Sequence, residues 1–66
     1  MITRHTPLDD LPHLARVEEV AAWLDVSRGE VYTLIRAGTL AHVKLGRLIR
    51  VPREALAALV SERRSA

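Results

Sequence analysis

Residues 26–40 read VSRGEVYTLIRAGTL, a stretch that predicts one short helix with a capping signal at each end. Ser27 is a preferred N-cap residue, and Glu30 completes a capping box in which each side chain accepts a backbone N–H that the helix leaves free. Gly38 can adopt the left-handed conformation that ends a helix, and Leu40 supplies the apolar contact of that motif. The chain on either side is therefore expected to pack around this helix.

The helix predicted over residues 28–37 has an apolar side and a polar side. At about 100° per residue, Val31, Leu34 and Ile35 share a narrow side that faces the protein. A free face about 15 Å long with small, hydroxyl and guanidinium groups fits the DNA major groove, which is about 12 Å wide. That free face and its flank carry Gly29, Thr33, Arg36, Arg28 and Tyr32.

Length and composition limit the possible functions. The 66 residues make one domain that buries about 60% of its unfolded surface, so we expect a surface site and no deep pocket. The sequence has no cysteine, which excludes disulfides, thiol catalysis and cysteine zinc sites. No apolar run approaches about 18 residues and no leader opens the chain, so we expect a cytoplasmic protein without a membrane partner.

Enzymatic and metal chemistry find little support in the sequence. The histidines at positions 5, 13 and 42 lack the spacing of metal ligands, so no metal site and no cofactor are predicted. Ser27 has no base nearby in the sequence and acts as a helix cap, so nucleophilic catalysis is not expected.

The net charge of +2 conceals an asymmetry along the chain. Residues 1–27 carry two basic and five acidic residues, a net charge of −3. Residues 28–53 carry six basic residues and one acidic residue, a net charge of +5. This distribution is typical of a protein that binds a polyanion, although a basic patch by itself can also be a solubilising surface.

A first helix is predicted from Val17. The apolar residues Val17, Val20, Ala21 and Leu24 follow the spacing i, i+3, i+4, i+7. Asp25 then breaks the pattern just before the second helix, and Ala21 is small where the two helices must cross. The pair predicts a helix-turn-helix, although any corner between two helices can show this spacing.

Residues 42–51 predict a β-hairpin, for which two registers are possible. A two-residue turn beginning at Gly46 would pair Leu45 with Leu48 and mix apolar and charged residues on each face. A three-residue loop would pair Leu45 with Ile49 and keep the faces uniform. We therefore predict the three-residue loop.

This register would place Lys44 and Arg50 together on one face. Like charges opposite each other are expected where a phosphate lies near them. Arg47 would project from the tip of the hairpin, as the wing of a winged helix does, and enter a minor groove, whose negative potential favours arginine. Leu48 would be exposed at the tip, where DNA sugars or another protein could contact it.

Three further predictions complete the chain. A third helix is expected from Pro52, with a buried stripe of Leu56, Leu59 and Val60, ending near Arg63. Domain boundaries are predicted at residues 1–13 for a flexible N-terminal arm, 14–64 for the folded domain and 65–66 for a frayed C-terminus. The leucines at positions 8, 11 and 14 could lie against the domain.

The run VEEVAAWLDVSRGEVYTLIRAGTLAHVKLGRLIRVPREALAALV, residues 17–60, resembles the excisionase-type, MerR-like winged-helix DNA-binding domains of phage and prophage excisionases, also called recombination directionality factors. The resemblance rests on Glu-Val-Ala at the first helix, Val-Ser at the turn, and Val-Tyr with Ile-Arg-x-Gly-x-Leu in the second helix. Lys-x-Gly-Arg and Arg-Val-Pro-Arg follow across the wing. It covers about residues 14–60.

The resemblance implies a mainly α winged helix-turn-helix: helix, helix, two-stranded wing, helix. It also implies a non-enzymatic protein of a bacterial host cell that binds several adjacent sites in an attachment region, bends the double-stranded DNA and helps an integrase run excision. The predicted DNA-binding residues are Ser27, Arg28, Gly29, Tyr32, Thr33, Arg36, Lys44, Arg47, Arg50 and Arg53.

Four positions depart from the family pattern. Arg16 stands where a Thr or Ser N-cap is usual, which weakens the start of the first helix by about 1 kcal/mol. Asp25 replaces the usual glycine of the turn, which is strained if that residue is left-handed. Glu30 and Thr33 stand where a Thr and an Arg are common, so the bases read by relatives do not transfer.

Other interpretations remain open. Tyr32 could donate to a phosphate or cap the edge of the core, and Trp23 could be half-buried packing or a partner anchor. The chain could be an effector-free transcriptional regulator of the same fold, since it lacks the long dimerisation helix of a small-molecule sensor. It could also be an adaptor that binds a partner protein, such as an integrase, through Trp23, Leu48 and the third helix. Complementary acidic and basic segments further suggest head-to-tail self-association on DNA.

Overall fold

A computed structural model describes residues 1–63 of the chain, and the predicted fraying at residues 65–66 lies outside them. The order helix, helix, hairpin, helix confirms the predicted winged helix-turn-helix. A short 3₁₀ helix precedes these elements, and an extra strand joins the hairpin in a sheet. The elements are the 3₁₀ helix Leu8–Asp10, β1 Leu14–Arg16, α1 Val17–Leu24, α2 Arg28–Arg36, β2 Val43–Leu45, β3 Leu48–Pro52 and α3 Arg53–Arg63.

The core lies where α1 and α2 cross. α1 buries Val17, Val20 and Ala21, and α2 buries Val31 and Ile35 in the same cluster. Val20 and Val31 are fully buried, and Ala21 has the small side chain that lets the two helices approach closely. The predicted apolar spacing of both helices therefore produces this contact.

α3 closes the core from the other side. Leu56 and Leu59 are buried as predicted, whereas Val60 is 37% exposed. Ala55 and Leu59 lie on the same side of Leu56 around the helix, so the buried stripe turns away from Val60.

Within the described residues, no helix is both long and apolar enough to cross a membrane.

The two caps predicted for α2 are present. Ser27 Oγ accepts the Glu30 backbone N–H at 3.2 Å, and the Glu30 carboxylate accepts the Ser27 N–H at 3.5 Å. Gly38 has a φ of 78° just after the helix, and Leu40 folds back to a buried position. α2 ends at Arg36, one residue earlier than predicted.

Asp25 forms the turn between α1 and α2 in the left-handed conformation, with φ 60° and ψ 46°. The next amide, that of Val26, donates to the Ala21 carbonyl at 3.0 Å, which closes α1. The Asp25 carboxylate lies 3.3 Å from the Arg4 guanidinium, but both side chains are mostly exposed. A surface pair of this kind adds little stability, so the strain expected at Asp25 is largely uncompensated.

The hairpin has the two-residue turn, so the predicted three-residue loop is wrong. Leu45 pairs with Leu48, not with Ile49. Gly46 has a φ of 63°, while Arg47 is not left-handed. A positive φ at the first loop position alone is typical of a type II′ turn, whose twist matches the flanking strands. Turn geometry, rather than uniform faces, therefore sets the register.

The strand β1 was not predicted, and it explains why mixed faces are tolerated in the hairpin. β1 pairs antiparallel with β3, so that Ala15 lies opposite Val51 and both are buried. Val51 thus finds its apolar neighbour on β1 instead of the predicted partner Val43 on β2. The same pairing places Arg16 opposite Arg50.

Residues 1–13, predicted as a flexible arm, lie against the domain in the structure. Leu11 is buried, and Leu8 packs against the core. The Trp23 indole N–H donates to the Thr6 carbonyl at 2.7 Å, in agreement with the packing interpretation of Trp23. The segment lacks a helical period, yet its apolar side chains and carbonyl groups find partners in the domain.

Replacing the strained turn residue should stabilise the domain. Asp25→Gly is expected to raise the free energy of unfolding by about 0.5–1 kcal/mol, because glycine adopts a positive φ without a Cβ clash. Urea denaturation followed by circular dichroism measures this change. Asp25→Ala is the matched control: it also removes the carboxylate but keeps the Cβ, so it should destabilise. Equal effects of the two variants would contradict the strain at this position.

Candidate nucleic-acid interface

The polar side of α2 is free, as the sequence predicts. Its apolar side is held against α1, which fixes the rotation of the helix about its axis. Tyr32 lies between the two sides, is half-buried and touches the core edge. The exposed predicted contacts on and beside α2 are Ser27, Arg28, Gly29, Thr33 and Arg36.

Hydrogen bonds orient two of these side chains. Thr33 Oγ1 donates to the Gly29 carbonyl at 3.0 Å, and Arg36 Nη2 donates to Thr33 Oγ1 at 3.5 Å. Arg36 is therefore directed along the exposed surface of α2 rather than away from it. This arrangement leaves most of the guanidinium N–H groups of Arg36 free to donate outward.

Gly29 leaves a gap in the exposed face of α2. A Cβ at this position would meet Ser27 Oγ at 3.8 Å and no other atom of residues 1–63 within 4 Å. The packing within the protein therefore does not require glycine, which destabilises a helix by about 1 kcal/mol relative to alanine. A glycine here lets another molecule approach the helix backbone closely.

The wing presents its cations differently from the prediction. Lys44 lies opposite Ile49, whereas Arg50 lies on the other face of the sheet, so the predicted pairing of these two charges on one face is wrong. Arg47 occupies the turn and is exposed. Arg50 is half-buried, and its Nη1 donates to the Ile49 carbonyl at 3.0 Å.

Arg53 has a contact within the protein instead of a free guanidinium. Its Nη1 donates to the carbonyl oxygens of Asp9 and Leu11, each at 3.0 Å, and its backbone N–H donates to the His13 carbonyl at 2.9 Å. Arg53 therefore fastens the N-terminal segment to the start of α3.

The remaining cations are not neutralised by carboxylates. Within the described residues, the ion pair between Arg4 and Asp25 is the one salt bridge shorter than 4.0 Å. The guanidinium groups of Arg28, Arg36 and Arg47 are thus exposed and unpaired in the described part of the chain. Unpaired cations on adjoining elements create the positive potential that attracts a polyanion.

An open groove of about 310 Å³ lies between the start of α1, α2 and the wing. It brings together three of the predicted contacts and adds Arg16, which the sequence analysis treated as a poor N-cap. β1 positions Arg16, and a strand of three residues gives too short a pattern to be recognised in the sequence. The lining residues are Arg16, Val17, Glu18, Tyr32, Arg47, Leu48, Ile49 and Arg50.

One family model and two known proteins with related sequences indicate the same class of protein. A family model described as "Helix-turn-helix domain" matches residues 16–64. A "Probable excisionase" of Saccharopolyspora erythraea is 42% identical over 43 residues, which are 65% of this chain and 44% of that protein. An "Excisionase" of Streptomyces ambofaciens is 47% identical over 45 residues, which are 68% of this chain and 73% of that protein. No solved structure matches the chain significantly.

The matched region contains both helices of the helix-turn-helix, the wing and α3. The chain spans less than half of the first relative's length and about three quarters of the second's. The sequence matches and the exposed polar face of α2 lead to the same conclusion. The chain belongs to the DNA-binding helix-turn-helix domains of the excisionase type.

Proposed function

We propose that the chain acts as an excisionase: it binds adjacent sites in the attachment region of an integrated phage genome, bends that DNA and directs an integrase towards excision. The observation that carries this proposal is the free face of α2, where Arg28 and Arg36 are exposed while Val31 and Ile35 on the opposite side are buried. The names of the two relatives supply the recombination role.

In this proposal α2 enters the major groove. Arg36 and Arg28 donate to base edges or phosphates, and Gly29 allows the backbone of the helix to approach the DNA. Thr33 keeps its hydroxyl bonded to the helix and offers its methyl group to a base. Ser27 remains the N-cap and lies at the end of the helix that favours a phosphate.

The wing then reaches the adjacent minor groove. Arg47 lies at its tip, where a narrow minor groove attracts arginine. Lys44 and Arg50 lie on opposite faces of the sheet, so they would contact different phosphates rather than share one. Together with Arg28 and Arg36 these residues give five cationic contacts, and Arg53 is left out of the proposed interface.

Charge reversal on α2 tests DNA binding directly. Arg28→Glu combined with Arg36→Glu should abolish retention of duplex DNA in a mobility-shift assay. The wild type should show a slope of log K against log salt of about −4 to −5, since about five phosphates are neutralised. A slope near zero would contradict the proposal.

The control for this experiment is Arg4→Glu, which reverses one charge outside the proposed interface and is compared with Arg28→Glu alone. Glutamate at position 28 lies in the first turn of α2, where the helix dipole favours it, whereas glutamate at position 36 lies in the last turn, where the dipole disfavours it. Circular dichroism checks that the fold is kept. An equal loss in the Arg4 variant would indicate an unspecific charge effect.

Several copies are proposed to bind side by side. One domain reads few base pairs, too few for a useful specificity in a genome. The net charge of −3 on residues 1–27 complements the net charge of +5 on residues 28–53, so a head-to-tail contact can repeat along DNA without closing into a ring. Such an array would also curve the DNA that it covers.

Footprinting at increasing protein concentration tests this arrangement. The protected region should lengthen in steps of one site as copies are added, because each bound copy offers a charged surface to the next. Raising the salt concentration should suppress the lengthening before it abolishes the first site. One short protected patch at saturation would rule out the array.

A recombination assay tests the excision role. With a cognate integrase, addition of the protein should start recombination between the two attachment sites that flank the integrated genome, and it should inhibit the reverse reaction. The charge-reversed variant serves as the inactive control. Binding of DNA without any effect on excision or on integration would favour an effector-free repressor of the same fold.

The exposed leucines of the sheet favour a second candidate, a protein-interaction adaptor. Leu14, Leu45 and Leu48 are 42%, 50% and 53% exposed. The register places all three on the outer face of the sheet, away from Ala15 and Val51. An adaptor that uses this face alone would keep its activity after charge reversal on α2, which separates the two candidates.

A further inference from the structure

Arg16 and Arg50 lie opposite each other on neighbouring strands, at the edge of the groove between α1, α2 and the wing. Directly opposed residues of antiparallel strands have Cβ atoms about 5 Å apart and point to the same face. Two guanidinium groups in this position repel each other. Within the described residues, neither of them has a carboxylate within 4.0 Å.

Arg16 is also a poor N-cap residue for α1. Its side chain has no oxygen to accept a helix N–H, so its one capping bond runs from its own backbone N–H to Glu19 Oε1 at 2.8 Å. The first N–H groups of α1 therefore lack a side-chain cap. The residue thus has two unfavourable features: a like charge opposite it without a carboxylate within 4.0 Å in the described part of the chain, and a bond to Glu19 that satisfies only its own N–H.

We propose that this groove binds one phosphate of the DNA backbone, with Arg16 as a contact that the family pattern lacks. The proposal rests on the proposed function. A helix in the major groove and a wing in the neighbouring minor groove must have one DNA strand between them. The groove lies in that position, because Tyr32 belongs to α2 while Arg47 and Arg50 belong to the wing.

The chemistry of the groove suits a phosphodiester. Arg16 and Arg50 can both donate to its oxygens, so the anion removes the repulsion between them. Tyr32 supplies a hydroxyl donor, and the half-buried apolar side chain of Ile49 can contact the deoxyribose. The first N–H groups of α1, which no side chain caps within the described residues, also favour an anion.

Among the residues that the structure describes, Glu18 is the one acidic residue that lines the groove. Its carboxylate repels a phosphate, and it lies in the first turn of α1, where it is exposed. Glu18→Gln should therefore bind duplex DNA more tightly than the wild type. This variant leaves the cationic contacts of the groove unchanged, so it tests the groove independently of Arg16.

Arg16→Thr separates binding from stability, because threonine is a better N-cap than arginine. The variant should melt at the same temperature as the wild type or higher. Its affinity for a random-sequence duplex of 30 base pairs should nevertheless fall about tenfold, while its salt slope should change by less than the roughly 0.9 of a lost phosphate contact, because Arg50 still neutralises the same phosphate. Arg16→Lys should keep the slope but bind more weakly, since an ammonium group cannot bind a phosphate bidentately.

Arg4→Thr is the matched control, since it makes the same substitution outside the groove and should leave the slope unchanged. An unchanged affinity and slope in Arg16→Thr, together with loss of binding in the variant reversed at Arg28 and Arg36, would overturn the phosphate site and leave the proposed function intact. Normal binding in all of these variants would overturn both. Inorganic phosphate added at constant ionic strength should not compete, and competition at millimolar concentration would point to a free anion instead.

Discussion

The packing of α2 against α1 is the constraint on which the surface depends. Val31 and Ile35 are buried beside Ala21, and this contact fixes how α2 is rotated about its axis. With that rotation set, the opposite side of the helix has to face solvent. Arg36 is exposed because it lies opposite the buried apolar residues. Fold and candidate interface are therefore two consequences of one apolar stripe.

The sequence predicts those parts of the structure that depend on local signals. The capping box of Ser27 and Glu30 and the left-handed Gly38 are recognisable because they act within one helix. β1 is three residues long and is defined by pairing with a strand some 35 positions later, so no local sequence pattern predicts it. The contacts of Arg16 and Arg53 depend on that distant pairing and could not be predicted for the same reason.

The hairpin shows how the missed strand led to the wrong register. Uniform faces were expected because a two-stranded wing must bury one face of both strands. With β1 present, Val51 is covered by Ala15 and by the core, so β2 is only an edge strand and Leu45 can remain exposed. The turn at Gly46 is then free to take its preferred geometry. In this register Lys44 and Arg50 lie on opposite faces of the sheet, and Arg16 is the cation beside Arg50.

Three positions break local rules, and their locations carry information. Arg16 starts a helix without an accepting side chain, Gly29 lies inside a helix where its Cβ would be tolerated, and Asp25 is left-handed. Sequences usually violate such rules where function demands it. Arg16 and Gly29 both border the surface proposed to contact DNA, where a cation and a close approach are useful. Asp25 lies at the turn, where its carboxylate has Arg4 as a partner within the chain, so its strain is not explained by a contact with DNA.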